Sequence, residues 1–219
     1  MRFLRWYYPD QVCESAAHSS RPLSPVAPSS PYASPIVAPR AFVAELASAR
    51  IGATFNQYAE SSRAPLLRER LARYLAENAG ADVLLVGEAP GYRGARVSGI
   101  PFTSERQLTG RGPAEATATI VHGVLAELDL EERVLLWNVV PTHPGSVSAN
   151  RPPTRAEIVA GLPFVGRLAV GRRVIAVGRL AHGALGGLQV RHPSRGGAVE
   201  FRAGLVELLD RGHLVSGTA

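Results

Sequence analysis

Residues 83–102 read VLLVGEAPGYRGARVSGIPF. The opening run, Val83 to Val86, is wholly apolar and stops at Gly87, the pattern of a strand covered on both faces. Counting Gly87, four glycines and two prolines come before the stretch ends on an aromatic ring, Phe102. Such a loop leaves backbone amides open to a ligand, because glycine puts no side chain in the way.

Outward from this strand the same rhythm repeats. Residues 133–141 (RVLLWNVVP) and 172–178 (RRVIAVG) read as further buried strands, and 188–194 (LQVRHPS) as a short fourth strand entering a loop. Helical patterns separate them. Residues 64–80 place Leu67, Leu71 and Leu75 four apart, with Gly80 as a stop. Residues 112–130, 179–188 and 196–212 also read as helices, and so does 40–50 at the start of the globular pattern. Residues 154–170 begin with Thr154 and carry Glu157 three positions on, a capping box. Alternating strands and helices predict an α/β fold: a three-layer α/β/α sandwich around a central, mostly parallel four-stranded sheet. In such sheets ligands bind where loops leave the carboxyl ends of the strands. Three Gly/Pro-rich loops, GEAPGYRG, NVVPTHPG and RHPSRGG, fall at three of those ends.

The domain so predicted spans residues 40–219. Residues 1–39 differ: a Ser/Pro/Ala-rich stretch without helical or strand period reads as a disordered or loosely docked tail. Its composition also fits an organellar transit peptide or an over-long start. The 219 residues include one cysteine, Cys13, which excludes a disulfide framework and a four-cysteine cluster within the chain. No apolar run reaches the length of a membrane span, and the N-terminus lacks a secretory apolar core. A cytoplasmic setting, a monomer and no cofactor are expected. His143 and His192 lie in Pro-rich loops without metal-ligand spacing, so no metal is expected.

The formal charge is +6, and all 24 basic residues are arginine. Arginine-biased coding explains the skew, yet its consequence stands: a basic, Arg-rich protein is drawn to phosphate. With no lysine, no side-chain amine exists for a Schiff base. The dinucleotide fingerprint, the P-loop and the hydrolase elbow are all absent.

GEAPG followed by GIPF, then WNVVP, then HPS, in that order across roughly residues 80–212, resembles the uracil-DNA glycosylase superfamily. The GEAPG form is most similar to a branch of thermophilic bacterial and archaeal enzymes that carry a four-cysteine iron–sulfur cluster. With one cysteine, this chain looks like a cluster-free relative. The resemblance implies excision of uracil from single- or double-stranded DNA. Another deaminated base, hypoxanthine or xanthine, is an alternative, as are a catalytically silent damage-binding module and a small-molecule nucleotide binder.

The resemblance also implies roles. Phe102 becomes the stacking platform for a flipped base, the alternative being an ordinary core Phe. Asn138 reads the pyrimidine edge with one acceptor and two donors, the alternative being a strand-end Asn serving the loop backbone. His192 donates to the O2 of the departing base, or is a surface loop residue. Glu88 positions or activates water, or is a structural carboxylate. The best-known relatives use an Asp one position later, where this chain has Ala89. Gly87 and Gly91 let the backbone approach the base. In the uracil-only branch a Tyr at position 91 blocks the thymine methyl; here Tyr92 is the candidate substitute. Arg93, Ser104, Arg106, Arg151, Ser194 and Arg195 are candidate contacts to the DNA backbone, each with a solvated surface residue as the alternative; Arg195 is also a candidate to fill the gap left by the flipped base.

Overall fold

The computed structural model describes residues 38–210. The expected tail lies outside the described residues, apart from Ala38 and Pro39. The strands are β1 (Val83–Gly87), β2 (Val134–Asn138), β3 (Arg173–Val177) and β4 (Leu188–Val190). The helices are α1 (Pro39–Ser48), α2 (Ala64–Glu77), α3 (Ala95–Ser98), α4 (Glu105–Thr109), α5 (Ala116–Glu127), α6 (Arg155–Ala169), α7 (Arg179–Leu185) and α8 (Ala198–Asp210).

The strands form one parallel sheet in the order β2-β1-β3-β4, flanked by helices. Every residue of β1 is buried, as its unbroken apolar run requires. β2 is an edge strand and would expose free N–H groups. Tyr74 of α2 covers it, accepting the Leu136 N–H at 2.7 Å. Beside it the Phe42 ring meets Trp137 and Phe164 edge-on, both at 5.6 Å, which ties α1 and α6 to β2.

The sequence after Glu88 reads as one long loop, but the structure breaks it with the short helices α3 and α4. Both end on glycines in the left-handed region, Gly99 and Gly110, which is where helices of any composition stop readily. Glu105 of α4 is pinned to α2 by Arg70 at 2.8 Å and to Arg63, just before α2, at 2.7 Å.

The Thr154 capping box forms as expected. Glu157 does more than cap. Its buried carboxylate accepts Arg151 at 2.6 and 2.8 Å, the Thr154 N–H at 2.9 Å and the Ala53 N–H at 3.2 Å. The Arg151 guanidinium, with the two backbone donors, holds the carboxyl down to about 2. Its stabilising contribution is therefore complete above the ordinary carboxylate range and fades as pH falls toward 2. Glu157→Ala is expected to cost about 2–3 kcal/mol, since it strands two buried amides and the Arg151 charge. A denaturant titration reads this as a lowered midpoint with unchanged slope.

Candidate active site

Parallel pairing puts the carboxyl ends of all strands on one edge of the sheet. Gly87 at the end of β1 lies in register with Asn138 at the end of β2. The loop after β4 brings His192 to the same edge, over the turn after β3. There Gly178 has φ 85°, and a Cβ on it would stand 3.0 Å from the His192 Cβ. Glu88, Phe102, Asn138 and His192 together line one cavity of about 370 Å³. Ala89, Gly91, Arg151, Ser194 and Arg195 line it too.

Phe102 forms the floor. A Cβ on Gly87 would overlap the Phe102 ring and come within 3.1 Å of the Asn138 Oδ1. The three residues are thus packed together, and only glycine fits at position 87. Phe102 sits at φ 53°, costly for a bulky residue. The surroundings hold it there. His122 hydrogen-bonds the Phe102 backbone, and its Nε2 lies 3.0 Å from the Thr103 hydroxyl. Burial pushes His122 down to about 4, so this brace is neutral. Arg195 on the HPS loop is also left-handed, at φ 54°. Both strained residues line the cavity, the usual location of stored backbone strain.

Asn138 is only 4% exposed, and its side chain lines the cavity. Its amide thereby presents an acceptor and two donors at the cavity. His192 Nδ1 accepts the Ser194 N–H at 3.2 Å and has the Ser194 hydroxyl at 2.8 Å. A backbone N–H can only donate, so the neutral ring carries its proton on Nε2. Burial, with the charge of Arg191, pulls His192 below the ordinary imidazole range and keeps it neutral near pH 7. Glu88 is half-buried, and burial raises its carboxyl.

A second carboxyl was not anticipated. Glu115, just before α5, lines the same cavity, and burial raises it as well. Its carboxyl fills the space that side chains at Gly91 and Gly94 would occupy. Two glycines three residues apart, each needing an occupant, are the only sequence signal for it. His143 ties two loops of the rim together, with Nδ1 2.8 Å from the Pro90 carbonyl and Nε2 2.8 Å from that of Ser146.

The family model of the uracil DNA glycosylase superfamily matches residues 76–210, more than half of the chain and all of the sheet. The chain belongs to the uracil DNA glycosylase superfamily. It is thereby a glycosylase of N-glycosyl bonds in DNA. No curated protein matches the chain in sequence. Among solved structures it is similar to wild-type Pedobacter heparinus SMUG2, with a TM-score of 0.58 at 10% identity, over 83% of this chain and 100% of that one. That likeness speaks for the fold.

Several of the expected contact residues lie off the cavity or bond other protein groups. Tyr92 does not line the cavity: its N–H goes to Asn150 at 2.8 Å and its ring lies 5.5 Å from the Arg93 guanidinium. It is therefore not placed to guard the base site. Ser104 is fully buried before α4 and bonds Gln107 at 2.8 Å, so it cannot reach a DNA phosphate. Arg106 is exposed, gives its Nε–H to the Gly112 carbonyl and does not line the cavity. Ser194 gives its hydroxyl to His192, and Arg151 is committed to Glu157. Arg93 and Arg195 are exposed, and Arg195 lines the cavity. Among the described residues no three His, Cys, Asp or Glu side chains come together as a metal site, and no helix is long and apolar enough to cross a membrane.

Proposed function

We propose that the chain is a monofunctional uracil-DNA glycosylase. The observation that carries this reading is the convergence of the Asn138 amide and the Phe102 ring, packed together around Gly87, on one cavity that also holds a neutral histidine. A base swung out of DNA loses stacking and pairing worth a few kcal/mol. The Phe102 ring returns part of it, since stacking on an aromatic contributes roughly 1–3 kcal/mol. The Asn138 amide donates to uracil O4 and accepts from N3–H. Cytosine presents the opposite pattern at both atoms, so the same amide rejects it.

The bond from C1′ to N1 breaks as the sugar becomes cation-like. The electron pair leaves with the base, and its charge gathers on O2. The His192 Nε2–H donates there, fixed by Ser194 on the other ring nitrogen. Glu88 holds the water that adds to C1′ and accepts its proton. The product is an abasic sugar and free uracil. Without lysine no side chain can form an imine at the sugar, and the strand stays intact. Exposed Arg93 and Arg195 are the natural contacts for flanking phosphates.

The test is excision from oligonucleotides bearing single uracil, hypoxanthine or xanthine. Wild type releases uracil, and Asn138→Ala loses about 10²-fold or more, because a site built to hydrogen-bond its substrate depends strongly on that bond. Wild type inactive on uracil overturns the reading. So does strand scission without heat or alkali.

A further inference from the structure

Uracil and thymine differ only by a methyl on carbon 5, so a uracil glycosylase must reject thymine at that atom. Resting on the reading above, a base stacked on Phe102 turns O2 to His192 and its N3–O4 edge to Asn138. The remaining edge, carbons 5 and 6, is left to the rest of the lining, where Gly91 and the Glu115 carboxyl lie side by side. Gly91 has no side chain with which to block anything, and Tyr92 lies off the cavity. The Glu115 carboxyl occupies the space where a residue 91 side chain would begin, and also where one on Gly94 would begin.

We propose that Glu115 discriminates at carbon 5 of the everted pyrimidine and rejects a methyl group there. A hydrogen at carbon 5 leaves this carboxyl its room and its hydration. A methyl would press against it, strip its water and offer no hydrogen bond in return, a costly burial for a polar group. Nothing else claims the side chain. It makes no cap bond to α5 and has no partner among the described residues, and its only environmental influence is burial. A residue from the start of a distant helix thus does the work that a side chain in the first loop would otherwise do.

The experiment compares wild type and Glu115→Ala on duplexes with one U·G or one T·G mismatch, reading the ratio of kcat/KM for thymine to that for uracil. The ratio is expected to rise roughly 10- to 200-fold, the range by which a pocket resolves one carbon. Because position 115 makes no cap bond, the thermal midpoint should stay near that of wild type. An unchanged ratio with uracil still excised overturns the assignment. Loss of all uracil excision in Glu115→Ala also overturns it, since the residue would then serve the reaction itself. If wild type leaves uracil in place, the preceding reading fails first and this one with it.

Discussion

His192→Ala is expected to lower the single-turnover rate of uracil release by about 10²–10³-fold, with substrate affinity little changed. Removing one fixed donor to a developing oxyanion usually has that effect. The effect falls on rate because O2 carries extra charge only as the bond breaks, so the donor stabilises the transition state more than bound DNA. The structure makes His192 well prepared. Ser194 supplies a backbone donor at 3.2 Å and a hydroxyl at 2.8 Å to Nδ1, so the ring need not reorient or change protonation. Ser194→Ala should therefore cost far less, because the backbone N–H still fixes the tautomer. A His192→Ala loss under tenfold, or one seen mainly in binding, would remove His192 from the chemistry.

The sheet was legible in the sequence because burial on both faces leaves a simple trace. The run from Val83 to Val86 contains nothing polar, and all of it is buried. The loops at the strand ends were legible for the opposite reason. Gly87 and Gly91 stand where a ring or a carboxyl comes too close for a Cβ, and Gly178 takes a left-handed φ of 85° beside the His192 Cβ. Failures occurred where function depends on direction. Ser104 follows Phe102 by two positions, yet the start of α4 turns it inward. Arg151 reads as a free cation because its partner Glu157 looks like an ordinary capping residue six positions away. Glu115 is one acid in an Ala- and Thr-rich helix, and no period or motif marks it. Only the fold of α5 over the first loop brings it to the cavity. Helix α6 taught a smaller point. It runs through Pro163 because the carbonyl that loses its donor belongs to Val159, on the exposed face, where water can serve it.

Glu88→Gln should lower the single-turnover rate by about 10²–10⁴-fold, the usual worth of a positioned general base. The amide has the same size, so the cavity keeps its shape and only the ability to take a proton is lost. The pH profile separates this role from a structural one. Burial raises the Glu88 carboxyl, and among the described residues no cationic partner lowers it again. Only the ionised form can accept the water's proton. Wild-type rate should therefore fall on the acid side with a midpoint above the ordinary carboxylate range. His192 is displaced the other way, below the ordinary imidazole range, and so remains the neutral donor through neutral pH. In Glu88→Gln that acid limb should vanish, leaving a slow, nearly flat rate that the Asn138, Phe102 and His192 contacts still support. If Glu88→Gln instead retains wild-type rate with the same acid limb, the limb belongs to another group. Glu115 is the other raised carboxyl in the cavity, and the water would then be held from its side.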